Sequence, residues 1–172
     1  MLKLVDISNE YIKEIEEFKK EVLEYDKDNE DQFAGCLGLR EAKTIEDWVA
    51  LCINRKNGLT KSVPSTVYLA IDNNELVGII DLRHHIKHPI LSTWGGHSGY
   101  SVRPTKRGLG YAKEMLRLLL IKAKEMNITD FLITCSVDNL ASEAVIKANG
   151  GIYETTLEVD TDHIKRYWIH LE

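Results

Sequence analysis

Residues 101–116, SVRPTKRGLGYAKEML, run an extended approach into a helix pattern with almost no spacer. Pro104 breaks the approach, Arg103, Lys106 and Arg107 bring positive charge, and Gly108 and Gly110 precede the first apolar turn. Glycine costs backbone entropy and weakens a helix start, so a pair of them here answers a need for bare backbone. Bare N–H groups and positive charge at the mouth of a helix suit an anion, above all a phosphate.

Upstream of this stretch the texture is β-rich. STVYLAI and ELVGIIDLRH (65–71 and 75–84) flank DNN, a hairpin signal whose asparagines tolerate positive φ; HHIKHPILSTWGG (84–96) reads as a loop and HSGYSV (97–102) as a third strand. Nearer the start, LKLVDI is a short strand. Ser8 or Asn9 then caps a helix with Ile12, Ile15, Phe18 and Val22 on one face. DKDNEDQ (26–32) is a polar loop. Thr44, with Asp47 at capping-box spacing, opens a helix whose buried stripe is Ile45, Trp48, Val49, Cys52 and Ile53.

Downstream, a helix over 108–126 carries Met115, Leu116, Leu119, Leu120 and Ala123 on its apolar side. FLITCSV is a buried strand, and a helix from Asn139 stops at Gly150-Gly151. IYETTLEV, a DTDH turn and IKRYWIHL close the chain as a hairpin whose last strand could pair with a second copy, making a homodimer possible. The order β-α-α-β-β-β-α-β-α-β-β predicts an α/β (α+β) domain over residues 1–172. Its sheet should be mixed but mainly antiparallel, with about seven strands and four helices.

The 172 residues carry a net charge of −5, which argues against nucleic acid as the main partner, and no apolar run reaches membrane-spanning length, so no membrane partner is expected. Cys36, Cys52 and Cys135 are far apart in apolar surroundings. They read as free thiols in a reducing, cytoplasmic compartment. Against the acidic whole, residues 103–124 hold seven Lys/Arg and one Asp/Glu, a local +6 that looks like a focused anion site. Lys122 and Lys124, far along the helix, read as a solvated face.

Three phosphate-binding patterns compete for the glycine stretch. A Walker loop fails on spacing and on its Lys-Ser/Thr pair; a dinucleotide fingerprint fails because Lys113 stands at its third glycine and no acid ends the next strand. The third pattern, R-G-x-G-x-A over Arg107–Ala112, resembles the coenzyme A loop of the GCN5-related N-acetyltransferase superfamily, Q/R-x-x-G-x-G/A. SVRPTKRGLGYAKEMLRLLL is similar to that family's strand–loop–helix unit. ITCSVDNLASEAVIKANGG is similar to its next strand and helix, and PSTVYLAI and GGHSGYSVRP resemble a subgroup of predicted acetyltransferases.

The resemblance implies acetyl-CoA as co-substrate, no metal, and a small-molecule or peptide amine as acceptor. It implies that the strand before the loop splays from the following strand and that pantetheine fills the gap. The backbone of Tyr100 would face the thioester oxygen and that of Val102 would pair with pantetheine. The backbone of Arg107, Gly108, Leu109, Gly110, Tyr111 and Ala112 would hold the phosphates. Asn139 would bond the pantetheine arm, serve as a plain N-cap, or do both. Many members place a tyrosine on the last helix to protonate the departing sulfur; this chain has Ile146 there. His97, or Asp81 or Glu75 through water, could act as general base. His84, His85 and His88 form an H-H-x-x-H cluster, but Pro89 and the lack of a nearby cysteine argue against a metal. That loop and EDQFAGCLGLREAK (30–43) would instead shape the acceptor pocket. No cysteine suggests an acyl-enzyme, so direct transfer is expected, and the alternative is a coenzyme A-binding module without catalysis.

Overall fold

The computed structural model describes residues 1–29 and 32–172. Strands β1 (Lys3–Asp6), β2 (Ser65–Asp72), β3 (Glu75–Arg83) and β4 (Tyr100–Val102) form one antiparallel sheet in that order. Strands β5 (Asp130–Ser136), β6 (Ile152–Val159) and β7 (Asp162–His170) form a second, in the order β5-β7-β6. Helices α1 (Ile12–Tyr25) and α2 (Ile45–Lys56) come after β1, α3 (Tyr111–Glu125) joins β4 to β5, and α4 (Leu140–Ala148) joins β5 to β6. Element order is therefore as the sequence predicts. Among the described residues the sheet is not continuous: every ladder is antiparallel, and none joins β4 to β5.

Local chemistry explains most of the elements. Asn73 and Asn74 take φ of 50° and 63° between the paired Asp72 and Glu75, giving the two-residue turn that matches strand twist. Thr44 accepts a hydrogen bond from the Asp47 N–H and starts α2. At α1 the expected cap is displaced. Asn9–Tyr11 form a 3₁₀ turn, and neither Ser8 nor Tyr11 makes a side-chain cap bond.

The four-stranded sheet is covered on both faces. Toward α1 and α2 it buries Val67, Leu69, Leu76 and Ile79 against Ile15, Phe18, Val22, Trp48 and Val49. Toward α3 it buries Ala70, Val77, Ile80 and Leu82 against Met115, Leu116 and Leu119, a cluster that continues to Phe131, Ile146 and Tyr167. Each buried Val, Leu, Ile, Phe or Met among them contributes about 1.5–3 kcal/mol of transfer free energy, so this double packing holds the sheet that carries β4. Ile53 departs from the predicted stripe and is exposed. Arg55 is buried instead, with its guanidinium on the Leu37 carbonyl.

Strand β7 lies between β5 and β6, so IKRYWIHL offers no free edge to a second copy; the outer edge of that sheet is β6. Within 84–96, Leu91–Gly95 form a short π-helical turn.

Candidate active site between strands β4 and β5

A cavity of about 490 Å³ opens where the two sheets part. Its walls are β4 and the preceding Ser98 and Gly99, the 106–113 segment, Ile133 to Ser136 of β5, the first turns of α4, and Asp26, Gln32, Phe33 and Ala34 beyond α1. Register decides what β4 presents to it. Arg103 N–H donates to the Val77 carbonyl, Ser101 pairs with Ile79, Asp81 N–H donates to the Gly99 carbonyl, and Arg83 N–H to that of His97. Odd-numbered residues thus turn their backbone groups to β3. By alternation, Tyr100 and Val102 turn theirs toward the cavity.

At the closed end, His97 N–H donates to the Leu132 carbonyl at 2.8 Å, and Leu132 N–H donates to His97 Nδ1 at 2.9 Å. One backbone bond and one imidazole therefore close the junction just before the strands part. The ring stacks on Phe131 with centroids 5.0 Å apart and is 4% exposed. Burial, aided by the Arg83 charge, pushes its pKa down to about 4. His97 does not line the cavity.

Asp81 is also buried and outside the lining. One oxygen accepts the Gly99 N–H at 2.7 Å and the other meets Arg83 Nε at 3.2 Å. Both candidate bases thus hold the strand that forms the wall. Glu75 is paired with Lys106 at 2.9 Å and does not reach the cavity either.

The loop at the open end owes its shape to its glycines. Gly108 and Gly110 have φ of 77° and 85°, the left-handed region, and a Cβ on either would meet nothing within 4 Å. Gly110 is the N-cap of α3 with no side-chain cap bond, so the first-turn N–H groups are left to an outside acceptor. Among the described residues, the cradle is made of backbone and open space.

The local +6 is corrected by contacts that span cannot display. Arg103 meets Glu21 at 2.5 Å, Lys106 meets Glu75, and Arg107 grips Asp26 with two bonds of 2.7 and 2.5 Å. Arg107 Nε also donates to the Val102 carbonyl at 3.1 Å. Arg117 pairs with Glu114, and Lys122 sits 4.7 Å from the centre of the Tyr68 ring. Lys106, Arg107 and Lys113 all line the wall, the first two ion-paired, so the anion-seeking character of the loop comes chiefly from backbone N–H groups.

Asn139 is the N-cap of α4, its Oδ1 accepting the Ser142 N–H at 3.0 Å, and it lines the cavity. Tyr100 reaches the same turn: its hydroxyl lies 2.6 Å from Ser142 Oγ. Residue spacing alone could not have announced that contact, since 42 positions separate the two. The three histidines of 84–88 are spent locally, on Thr66 Oγ1 and on the N–H groups of Lys87 and Ile90. Among the described residues no group of three metal-ligating side chains gathers. Of the predicted acceptor-pocket segment 30–43, Glu30 and Asp31 lie outside the described residues, while Gln32, Phe33 and Ala34 line the cavity. Cys36, Cys52 and Cys135 are buried and, among the described residues, form no disulfide; Cys135 also touches the cavity.

The acetyltransferase (GNAT) domain family model matches residues 16–152, which runs from within α1 through the cavity-lining segments to α4. The chain belongs to this family. No curated protein is matched by sequence similarity. Among solved structures, RimL, the ribosomal L7/L12 alpha-N-protein acetyltransferase in complex with coenzyme A, superposes with a TM-score of 0.72 at 19% identity. That match covers 99% of this chain and 94% of that one. The microcin C7 self-immunity acetyltransferase MccE, in complex with acetyl-CoA and AMP, gives 0.70 at 17% identity, over 98% and 92%. Mutant forms of the spermidine/spermine N-acetyltransferase SpeG from Vibrio cholerae give 0.63 at 13%, over 99% and 95%. At these identities the likeness is one of fold. Within the GNAT family, then, this member builds its cleft from an outward-facing β4 edge, an uncapped α3 and a histidine-closed junction.

Proposed function

We propose that the chain is an acetyl-CoA-dependent N-acetyltransferase, acting as one domain over residues 1–172 and transferring acetyl directly to a primary amine. The observation that carries the reading is that one cavity joins the outward backbone edge of β4 to the uncapped N-terminus of α3. Acetyl-CoA would lie along that line. The N–H groups of Gly108 to Ala112 would take its phosphates. Val102 would pair with the pantetheine amides, Asn139 would flank them, and the Tyr100 N–H would polarise the thioester carbonyl. Bound there, acetyl-CoA supplies the activated acyl group, and the chain supplies alignment and hydrogen-bond donors.

His97 and Asp81 act as positioning residues in this reading: each is buried, bonded to the strand backbone, and outside the cavity wall. Titrating near pH 4, His97 is too weak a base to take a proton from an ammonium group. The acceptor is a small-molecule or peptide amine, a class supported by structural neighbours whose names give a ribosomal protein, spermidine and spermine as substrates. Buried cysteines without a disulfide among the described residues support work in the cytoplasm.

The test is release of coenzyme A thiol from acetyl-CoA across polyamines, amino-terminal peptides and aminoacyl compounds, with initial-rate patterns for both substrates. Intersecting patterns, retained in Cys135→Ala, are expected for direct transfer. Parallel patterns abolished in Cys135→Ala would replace it with an acyl-enzyme route. Tight binding of acetyl-CoA without turnover on any amine or in a cell extract would favour the non-catalytic module.

A further inference from the structure

Among the described residues on the cavity wall, Asp26 is the sole acid. It is buried at the end of α1 and faces a cation of the chain's own. Arg107 Nη1 and Nη2 donate to its two oxygens at 2.7 and 2.5 Å. The same guanidinium donates through Nε to the Val102 carbonyl at 3.1 Å. One side chain therefore spans from α1 to the outward edge of β4, and it covers the carbonyl that the acetyltransferase reading gives to pantetheine. When pantetheine pairs there, the guanidinium loses that place. The phosphates on Gly108 to Ala112, the residues next in sequence, are then the anions within its reach, and arginine grips phosphate as it grips carboxylate. The exchange leaves Asp26 on the wall without its cation. A buried carboxylate stripped of its partner is costly, so it draws another. Gln32 adds a second acceptor at this corner. Its amide N–H groups go to the Val22 and Asp26 carbonyls at 3.3 and 3.0 Å, which fixes its orientation, and its Oε1 is buried with no hydrogen-bond partner. Buried acceptors are normally paired, and an open one beside a carboxylate residue calls for a ligand with several N–H donors, such as an ammonium.

We propose that Asp26 selects the acceptor by holding a cationic nitrogen of the substrate, distinct from the nitrogen that is acetylated, and that Arg107 keeps that place until the cofactor binds. The proposal rests on the acetyltransferase reading and narrows its substrate to acceptors with two basic nitrogens. Spacing supports two. Asp26 is linked through Arg107 to Val102, whereas the thioester is assigned to Tyr100, two residues along the same strand edge, or about 7 Å. One amine cannot occupy both places, and a molecule with two can. Arg107 is then a stand-in for the substrate's second cation, bonded in the free protein to the acceptors that cation takes in the loaded one. Cofactor and acceptor are coupled as a result: the cofactor draws the guanidinium away, and the carboxylate it leaves is open to the acceptor.

The test is calorimetric titration of the full chain, free and loaded with coenzyme A, with two matched pairs of probes. These are putrescine against butylamine, and alanyl-lysine amide against alanyl-alanine amide. In at least one pair the dication should bind the loaded protein about tenfold tighter than the free protein, while its monocationic counterpart shows no such gain. A gain in the first pair assigns a small diamine, and a gain in the second a basic peptide. By linkage the same probe should tighten coenzyme A by the same factor. Arg107→Gln should let the dication bind the free chain as well as the loaded one, a readout that does not depend on any Asp26 variant. Asp26→Asn should erase the difference within the pair. In turnover it should raise KM for the dication about tenfold, with kcat within about twofold and the monoamine KM unmoved. Equal binding of both members of each pair would overturn the proposal. So would equal rises in both KM values with a lower melting temperature, which is the mark of a packing role. In either case coenzyme A still binds and the acetyltransferase reading stands. If the wild type binds no coenzyme A, both readings fall together.

Discussion

The β4–β5 junction has a closed end and an open end, and they are built from opposite materials. At the closed end a buried imidazole and one backbone hydrogen bond join His97 to Leu132, with aromatic stacking behind. At the open end, a few residues on, backbone groups of β4 turn outward and two glycines with positive φ lead into an uncapped helix. The closed end spends its polar groups within the protein, whereas at the open end the first-turn N–H groups of α3 face the cavity. A binding cleft within a sheet requires this contrast. Strands that pair along their whole length leave no room for a ligand, and strands joined nowhere would leave the cleft without a fixed width.

The largest effect should come from breaking the open end. Gly110→Val places a β-branched residue at φ 85° in a cradle that a Cβ would enter. Acetyl-CoA affinity should fall by about 100-fold or more, since the N–H groups can no longer reach a phosphate, while the chain stays folded. Calorimetric titration beside a melting curve reads both quantities, and undiminished affinity would remove the loop from the site.

Breaking the closed end should act first on stability. His97→Gln keeps an acceptor for Leu132 N–H but loses the stacked ring, so melting temperature at neutral pH should drop by several degrees. Wild-type stability should also decline on acidification. With a folded pKa near 4 against about 6.5 unfolded, His97 binds its proton more readily in the unfolded chain between those values. The contribution is full above about pH 6.5 and is lost as pH falls toward 4, and His97→Gln should remove that part of the slope. An unchanged pH dependence of melting would show that the imidazole is not held neutral.

The smallest effect concerns the charges at the mouth. Asp26→Asn frees the Arg107 guanidinium from its carboxylate and removes a negative charge from the cavity wall. Acetyl-CoA should bind about threefold tighter, with a steeper loss in salt, because partly exposed charges are readily screened. Weaker binding in Asp26→Asn would mean that the pair holds the loop in its binding shape.

These regions differ in how far the sequence discloses them. Turn and cap chemistry is local, so DNN, Thr44 with Asp47, and Gly108 with Gly110 could be read directly, and with them the element order. The glycine loop of the candidate site was legible for the same reason: a demand for bare backbone shows in the residue that meets it. Contacts across the chain were not. The partners of Arg103 and Arg107 are Glu21 and Asp26 on or just past α1, which is why a charge count over 103–124 misjudged the field. His97 reads as a candidate base because imidazole chemistry is visible in a sequence and its hydrogen bond to Leu132, 35 residues on, is not. Likewise, IKRYWIHL has the pattern of any final strand, and only register shows it to be internal.

The central claim is that the outward edge of β4, continued by the start of α3, is what holds acetyl-CoA. Amide hydrogen exchange, resolved by residue with and without acetyl-CoA, tests it most directly. The account predicts new protection at Val102, Tyr111 and Ala112, while Ser101 and Arg103, already bonded to β3, change little. Protection rising equally at odd and even positions of β4, or appearing only at the separate groove lined by Asp6, Lys56 and Asn57, would contradict it.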